Sequence, residues 1–408
     1  MSEFLKTSLE YVLHKPISGS RPKGGVSAVG EIPSLGGENI TMEGGLKLEA
    51  VKKISSEFFK SMPQGQLKNL DVLINKDGAN TGKSTIYRKS PFLNAAVNEH
   101  LFILRGKEGK LDQEYLHYLL QFSLIRAILE IKITGSAQPG INTTFVKNFP
   151  VDLAPFLEQK KIASILTSVD EVIDSAQKQI DKLEDLKKAT MNELLTKGIG
   201  HTEFKDSELG RIPKSWQVKK LKDIGECIRG LIYSPKDIAE TGLLVLRSSN
   251  IQHGRIHLDD NVFVNLDVTT NFRTQVGDLL ICVRNGSRRL LGKSAIIPEG
   301  LPPSTHGAFM TVFRTPQNEF VQFLLQSGWF FTQVSRDIGA TINSINNSNL
   351  LEYLFAFPPH HEQTQIASQL KSIEALIVGK SNKLSQTQYL KKSLMQDLLT
   401  GKIRVTVN

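Results

Sequence analysis

Two stretches of the chain, EQKKIASILTSVDEVID from Glu158 and EQTQIASQLKSIEALIV from Glu362, are copies of one another. Identical residues continue at the same offset, 362 − 158 = 204, without a gap as far as Thr196 and Thr400. The offset is half of the 408 residues of the chain. Self-similarity at a fixed period indicates repeated structural units, so we interpret the whole chain as a tandem duplication.

Each copied stretch has the pattern of a long helix. Between residues 158 and 197 apolar residues recur three and four positions apart, which defines one face of a helix. Gly198 and Gly401 follow the two stretches and are typical of helix ends. A helix of about 40 residues is about 60 Å long. A compact domain of about 150 residues does not cover an apolar stripe of that length.

We therefore expect the two helices to pack on each other, as an antiparallel coiled coil if the two repeats are related by a pseudo-twofold axis. The alternative, a helix that lies along its own domain, is disfavoured by its length. The expected packing residues share the helical spacing: Ile162, Leu166, Val169, Ile173 and Ile180 in the first helix, and Ile366, Leu370, Ile373, Ile377 and Leu384 in the second.

The segments outside the helices predict two globular domains of the α+β class. Short apolar runs such as DVLIN and LLVLR are bounded by Gly, Asn and Asp, which is typical of strands and turns. EYLHYLLQFSLIRAIL and FVQFLLQSGWFFTQV each predict one helix with an apolar side. The predicted organisation is a first domain at 1–155, a central helix at 156–200, a second domain at 201–359 and a C-terminal helix at 360–403.

Composition favours a cytoplasmic protein with a polyanionic partner. The 50 Lys and Arg residues exceed the 41 Asp and Glu residues by nine, and the pI is near 9.3, which favours nucleic acid. Two cysteines exclude a disulfide framework and a Cys₄ zinc site. No apolar run approaches the ~18 residues of a spanning helix, and the N-terminus lacks a secretory pattern.

Motifs for catalysis are weak. Gly82–Ser84 and Gly292–Ser294 both read Gly-Lys-Ser, but the glycine spacing before them differs from that of a phosphate-binding loop. A tight turn between two strands is the preferred interpretation, and a nucleotide hydrolase remains the disfavoured one. The Phe-Pro-Pro-His stretch at 357–360 lacks the polar and aromatic residues of a methyltransferase motif. We predict no catalytic residue and no metal site in this chain.

Basic and amide side chains cluster in matching loops of the two halves. Arginine offers a fork of donors to guanine or phosphate, and Asn and Gln pair with adenine. Each residue alone is typical of a solvated surface, but together they favour contact with nucleic acid. The candidates are Lys76, Asn80, Lys83, Arg88, Gln138 and Asn142 in the first half, and Arg247, Asn250, Arg284, Asn285, Arg288, Arg289 and Lys293 in the second.

The order of motifs resembles that of the specificity subunits of type I DNA restriction–modification systems. The resemblance covers essentially the whole chain. It rests on the turn GSAQPGI at 135–141, the P-x-x-EQ-x-x-IA-x-x-L entry to each helix, LLTGKI at 398–403 and IPKSW at 212–216. The second half reads IGATINSINN where the first reads SAQPGINTT, so we expect its turn to act differently.

This resemblance implies a non-catalytic subunit with two target recognition domains. Each domain would read one half of an asymmetric bipartite site in double-stranded DNA, with the unread gap set by the helix pair. The implied partners are two modification (methyltransferase) subunits and restriction (motor-nuclease) subunits. S-adenosylmethionine, ATP and Mg²⁺ would bind in those partners, as an adenine-N6 methyltransferase and an ATP-dependent endonuclease. The alternative is a DNA-independent scaffold that assembles partners through its helix pair.

Overall fold

The chain divides into two compact units, and the boundary between the units crosses both long helices. The computed structural model describes residues 3–23, 25, 29–41, 44–88, 92–134, 139–266, 268–338 and 343–406. Unit 1 comprises Met1–Gln177 with Asn382–Asn408, and unit 2 comprises Lys178–Ser381. Each unit therefore includes one part of both long helices, because each helix buries residues in two cores.

Unit 1 has an α+β architecture. Its strands are β1 (Leu5–Ser8), β2 (Ile17–Ser18), β3 (Ile32–Leu35), β4 (Lys53–Ile54), β5 (Asp71–Asn75), β6 (Ser84–Tyr87), β7 (Ala96–Val97), β8 (Leu101–Leu104) and β9 (Pro150–Leu153). Its helices are α1 (Leu9–Val12), α2 (Ser56–Ser61), α3 (Gln113–Gln121), α4 (Ser123–Lys132) and the first part of α5 (Phe156–Lys197).

Unit 2 has the same class of architecture. Its strands are β10 (Phe204–Ser207), β11 (Gly210–Pro213), β12 (Gln217–Lys220), β13 (Glu226–Arg229), β14 (Ile238–Ala239), β15 (Leu243–Leu246), β16 (Ile251–Gln252), β17 (Arg255–Ile256), β18 (Phe263–Val264), β19 (Leu279–Cys282), β20 (Ser294–Ile296), β21 (Ser304–His306), β22 (Met310–Arg314) and β23 (Leu354–Phe357). Its helices are α6 (Asn318–Leu324), α7 (Gly328–Asp337), α8 (Asn347–Glu352) and the first part of α9 (His360–Leu399).

The sheets repeat the duplication that the sequence indicates. Unit 1 has an antiparallel sheet in the order β2-β8-β5-β6, and unit 2 has one in the order β13-β22-β19-β20. The parallel pair β3 and β7 corresponds to β15 and β21. The ladder of β1 with β9 corresponds to that of β12 with β23. Two halves with divergent sequences therefore share one strand order.

The strongest strand predictions match the structure, and two helix predictions need correction. The DVLIN run is β5, whose Val72, Leu73 and Ile74 are fully buried. EYLHYLLQFSLIRAIL is two helices rather than one, because Phe122 between them has an extended backbone. FVQFLLQSGWFFTQV is likewise divided, because Ser327 caps α7 by accepting from the amide of Phe330. The apolar pattern continues across both breaks, since the helices on either side bury residues in one core.

The long helices end at glycines with left-handed backbone. α5 ends at Lys197 and α9 at Leu399, three and four residues before the predicted ends at 200 and 403. Gly198 and Gly401 have φ values of 67° and 72°, a conformation that favours glycine at a helix C-terminus. α9 continues through Gly379 without a break.

The Glu-Gln pair at the start of each long helix has the same structural role in both units. Gln159 donates to the carbonyl of Ala154 (2.8 Å), and Gln363 donates to that of Pro358 (2.9 Å), so each amide fixes the strand that leads into the helix. A buried carbonyl requires a donor, and the two glutamine amides supply one in each unit. This need explains why the pair is copied in the two halves.

The glutamates of the two pairs are also buried acceptors. Glu158 binds the guanidinium of Arg404 (Nη2–Oε2 2.6 Å), which lowers the pKa of Glu158. Glu362 accepts from Trp216 Nε1 (3.0 Å) and His201 Nε2 (2.8 Å). Each glutamate therefore anchors the segment that follows the other long helix.

The predicted helix-packing residues near the start of each long helix are buried in a core, and the later ones range from buried to half-buried. Ile162 and Leu166 are fully buried in the unit 1 core with Leu398 of α9, and Ile366 and Leu370 are fully buried in the unit 2 core with Leu194 of α5. These two cores also contain side chains of the globular domains, so the start of each helix packs on its own domain as well as on the other helix. Ile180 and Leu384 are buried, and Val169, Ile173, Ile373 and Ile377 are half-buried.

A buried ion pair is repeated in the two central sheets. Arg105 Nε lies 2.6 Å from Asp71 Oδ1, and Arg314 Nη2 lies 2.7 Å from Asp278 Oδ2. The two carboxylates are 3% and 2% exposed. Asp278 also accepts from the amide of Gln275 (2.7 Å). Each aspartate thus joins the start of a central strand, its neighbour strand and the preceding turn.

We expect the substitution Asp278→Asn to lower the free energy of unfolding by about 2–3 kcal/mol, because Arg314 would lose a buried, bidentate partner. Urea unfolding of the full chain at pH 7 measures this change. The matched control is Glu203→Gln, whose exposed pair with Lys214 (3.0 Å) should contribute less than about 0.5 kcal/mol. Equal effects of the two variants would contradict the prediction.

Candidate nucleic-acid interface

Four loops of unit 1 meet at one end of its central sheet. We call this set loop cluster 1, comprising residues 36–39, 76–83, 98–100 and 139–142. Asn80 Nδ2 donates to the carbonyl of Gly37 (3.3 Å), and the amide of Lys76 donates to that of His100 (2.9 Å). The amide of Gly78 donates to the carbonyl of Pro139 (3.0 Å). Main-chain hydrogen bonds therefore join three of the loops, and the Asn80 side chain joins the fourth.

Four loops of unit 2 meet in the corresponding place. We call this set loop cluster 2, comprising residues 247–250, 283–293, 306–309 and 343–345. Asn285 Nδ2 donates to Ser248 Oγ (3.1 Å), and the amide of Val283 donates to the carbonyl of Phe309 (3.0 Å). The amide of Ile345 donates back to Val283 (2.8 Å). The fold thus brings together the candidate residues of the 247–250 and 283–293 loops, which lie far apart in the sequence.

The two Gly-Lys-Ser loops are hairpin ends, as the sequence favours. The loop of cluster 1 joins the antiparallel strands β5 and β6, and Gly82 has a φ of 83°. Its amide donates to the carbonyl of Asn75 (2.8 Å), and the amide of Gly292 donates to that of Cys282 (2.9 Å). Phosphate-binding loops instead leave successive amides free in front of a helix, so these loops do not have that geometry.

Asn250 is a structural residue of its loop. It is fully buried, its Oδ1 accepts from the amide of Arg247 (2.9 Å), and its Nδ2 donates to the carbonyl of His257 (3.0 Å). Asn39 occupies the same place in unit 1 and accepts from the amide of Gly36 (2.9 Å). Because its side-chain polar atoms form hydrogen bonds within the loop, Asn250 does not lie on the surface of loop cluster 2.

Two further candidate arginines are engaged in ion pairs. Arg247 Nη2 lies 2.8 Å from Asp260 Oδ1, and hydrogen bonds from Ser249 and Arg247 lower the pKa of Asp260. Arg88 follows the last residue of β6, at the end of the strand away from loop cluster 1, and it pairs with Glu114 at the start of α3. Arg88 therefore lies apart from the other candidates of unit 1.

Three other candidates of unit 1, Lys76, Lys83 and Asn142, lie in loop cluster 1. Lys83 Nζ donates to Asn80 Oδ1, and Lys76 Nζ lies 5.5 Å from the centre of the Phe102 ring. Asn142 is exposed, and its Oδ1 accepts from the amide of Thr144 (2.9 Å). Gln138 lies outside the described residues.

Loop cluster 2 presents exposed cations. Arg284, Arg288 and Arg289 are exposed, and none of the three forms an ion pair with a carboxylate in the part of the chain that the structure describes. Arg288 and Arg289 lie on a single 3-10 turn, Arg288–Leu290, and Lys293 is half-buried behind it. Unpaired arginines on a turn have the donors that phosphate and base edges require.

Sequence reasoning missed two side chains that contact this surface. His100 Nδ1 donates to Asp77 Oδ1 (2.7 Å) in cluster 1, and the Phe309 ring centre lies 6.0 Å from the Arg284 guanidinium in cluster 2. Phe309 is 60% exposed. Both partners lie more than 20 residues along the chain from the residue they contact, so only the strand order reveals the contact.

Among the residues that the structure describes, no group of three or more His, Cys, Asp or Glu side chains is arranged to hold a metal ion. No helix there is long and apolar enough to cross a membrane. Burial raises the pKa of the Cys282 thiol, and thiols act as nucleophiles in the thiolate form.

The sequence profile of the type I restriction modification DNA specificity domain matches residues 9–185 and again residues 213–386. The chain belongs to this family. A family domain matched twice agrees with the two units of equal strand order. Specificity for DNA is the property that the description of this family names.

Relatives in the family match the chain over most of its length. The MjaVIII specificity subunit of Methanocaldococcus jannaschii is 31% identical over 365 residues, which cover 86% of this chain and 84% of the relative. The putative MjaX specificity subunit of the same organism is 30% identical over 338 residues, covering 79% and 76%.

Two solved structures have the same fold. An S subunit from M. genitalium matches with a TM-score of 0.62 at 14% identity, covering 99% of this chain and 97% of the other. A chain from a study of complex assembly and conformational transition of the type I R-M system matches with a TM-score of 0.57 at 15% identity, covering 99% of both chains. At these identities the likeness concerns the fold.

We expect the double substitution Arg288→Ala/Arg289→Ala to weaken DNA binding at all sequences alike, because cations on an exposed turn contact phosphate. Each lost phosphate contact lowers the slope of log K against log salt by about 0.9, so the slope should fall by nearly two. Fluorescence anisotropy of the assembled complex across a salt series measures it. The control Lys205→Ala/Lys214→Ala, on the β10–β11 hairpin, should leave the slope unchanged, and an unchanged slope in the arginine variant would refute phosphate contact.

Proposed function

We propose that this chain is the DNA-reading subunit of a type I restriction–modification complex and recognises an asymmetric bipartite site. Each unit would read one half-site through its loop cluster. The observation that carries the proposal is the repetition of one loop frame with unlike side chains. The frame is held by equivalent main-chain hydrogen bonds in both units, whereas cluster 1 carries Asp77 and cluster 2 carries Arg284. Like frames with unlike side chains fit two different half-sites.

We further propose that α5 and α9 form an antiparallel coiled coil that sets the unread gap. In unit 1, Asp170 of α5 pairs with Lys391 of α9 (2.6 Å), and in unit 2, Lys187 of α5 pairs with Glu374 of α9 (2.6 Å). The offset of 204 relates Asp170 to Glu374 and Lys187 to Lys391, so each ion pair is the copy of the other. An early residue of one helix meets a late residue of the other in both cases, which supports opposite directions.

Exposed apolar side chains on the long helices support two equivalent partners. Val172 and Leu376 stand at one repeat position and are 51% and 57% exposed. Leu186 and Leu390 stand at another and are 51% and 54% exposed. A single exposed apolar side chain is ordinary on a soluble protein, but the same exposure at matching repeat positions gives two copies of one surface. Two modification subunits fit this symmetry.

The chemistry would then reside in the partners. Modification subunits would supply adenine-N6 methylation with S-adenosylmethionine, and restriction subunits would supply ATP- and Mg²⁺-dependent cleavage. This chain would contribute no catalytic side chain, and its place of action would be the cytoplasm. The rival function, a scaffold indifferent to DNA, is opposed by the exposed, unpaired arginines of loop cluster 2.

Exchange of residues 9–149 for those of another family member should change one half-site of the methylated sequence and leave the other intact. These limits keep the β1–β9 ladder and both long helices. Genome-wide mapping of methyladenine, in cells that carry the partner subunits, gives the result. Exchange of the segment between β12 and β23 is the matched experiment and should change the other half-site. Retention of both original half-sites would overturn the proposal.

A paired insertion of seven residues, after Leu183 in α5 and after Ile377 in α9, should widen the gap between the half-sites. Seven residues keep the packing stripe in phase and lengthen a helix by about 10 Å. At 3.4 Å per base pair the gap should grow by about three base pairs, with both half-sites retained. Methylation mapping reads the new spacing, and an unchanged gap would exclude the helix pair as the spacer.

A further inference from the structure

We infer that Asp77 and Arg284 are one and the same reading position in the two units, and that each recognises a G·C base pair. The inference rests on the proposed function and deepens it. Asp77 would accept from the amino group of cytosine, and Arg284 would donate to guanine. The sequences around the two residues are unlike, so the equivalence comes from the backbone contacts that surround them.

The first contact is with the turn that precedes the final strand of each domain. Asp77 forms an antiparallel bridge with Gly140, and Arg284 forms one with Ser344. Gly140 and Ser344 are related by the repeat offset, since 344 − 140 = 204. The neighbouring bonds agree: the amide of Ile141 donates to the carbonyl before Asp77 (2.7 Å), and that of Ile345 donates to the carbonyl before Arg284 (2.8 Å).

The second contact is with the loop next to β8 or β22. The amide of Lys76 donates to the carbonyl of His100 (2.9 Å), and the amide of Val283 donates to that of Phe309 (3.0 Å). His100 and Phe309 are therefore equivalent, and each contacts the reading residue beside it. A backbone held on both sides gives the reading side chain a fixed origin, which lowers the entropic cost of binding.

The side chains of both positions are supported and still available. His100 Nδ1 donates to Asp77 Oδ1 (2.7 Å), and among the described residues no donor contacts Oδ2. Asp77 is 39% exposed. The guanidinium of Arg284 stacks near the exposed ring of Phe309, at 6.0 Å from its centre, which is within the range of a cation–π contact. In both units an aromatic side chain orients the reading group and leaves its hydrogen-bonding edge open.

Base chemistry assigns the partner of each position. An arginine fork matches guanine O6 and N7, and an aspartate accepts from cytosine N4 in the major groove. The other arginines of cluster 2 are less suited to this task. Arg247 is paired with Asp260. Arg288 and Arg289 lie on a turn, and among the described residues no aromatic ring makes a cation–π contact with either. Arg284 is thus the arginine whose direction is fixed while its donors remain unpaired.

The test is methylation mapping with the complete complex that carries Asp77→Ala or Arg284→Ala. We expect each variant to lose discrimination at one G·C position, by about tenfold or more. The two positions should lie in different half-sites, and the rest of the sequence should remain specified. Asp77→Asn, which has the same shape, should relax the same position as Asp77→Ala. Isolation of the variant with its partner subunits shows that it is folded.

Two outcomes would overturn the inference. One is an unchanged methylated sequence in either alanine variant. The other is a loss of methylation at all sequences alike, including complete loss in a variant that still assembles. Failure of the proposed function has a different signature, because exchange of residues 9–149 would then leave both half-sites as they were. A changed half-site in the exchange with no effect of Asp77→Ala would refute the reading position alone.

Phe309 is a positioning residue that orients Arg284. Its substitution should therefore change base discrimination and leave stability unchanged. Phe309→Leu should relax the same base pair as Arg284→Ala, and Phe309→Tyr should restore discrimination, because only an aromatic ring supports the guanidinium. Equal discrimination in the leucine and tyrosine variants would remove the positioning role. The unfolding midpoint should be the same in all three proteins, since Phe309 is largely exposed.

Discussion

The apolar stripe of the two long helices is the constraint on which the architecture depends. A helix of 42 residues with one apolar face buries that face only if it contacts more than one body. α5 meets this need by joining the unit 1 core at Ile162 and the unit 2 core at Leu194, and α9 does the same at Leu398 and Leu370. The compact units therefore divide both helices, although the sequence presents each helix as one segment.

The polar contacts that stabilise the fold occur in both units, whereas the side chains of the loops differ between the units. The Glu-Gln pair, the aspartate–arginine pair of the central sheet and the ion pair between the helices each occur once per unit. Each satisfies a buried or half-buried polar group, whose loss would cost stability in either unit. The loops share a main-chain frame, reinforced by buried amides such as Asn250, while their exposed side chains differ between the units.

Local sequence pattern predicted the elements well and the site only in part. The strand β5 could be predicted from the run DVLIN, because consecutive apolar residues indicate a buried strand. The break at Phe122 was missed because the apolar periodicity continues across it. Asn250 and Arg247 looked like free polar residues, yet a buried turn and Asp260 engage them. The partners, His257 and Asp260, lie seven and thirteen residues further along the chain, and a local pattern does not reveal these pairings.

The same reasoning explains why the reading position escaped the sequence. An alignment by the Gly-Lys-Ser ends does not pair Asp77 with Arg284, because the loops differ in length. An alignment by Asp71 and Asp278, at an offset of 207, does pair them, so the sequence leaves two alignments open. The equivalence of the two residues rests on what each contacts: the Gly140 or Ser344 turn on one side and His100 or Phe309 on the other. Because those contacts are made by the main chain, an acceptor in one unit and a donor in the other fit the same frame. A family of proteins that reads different sites with one fold needs a position of this kind, where the side chain can change without a loss of stability.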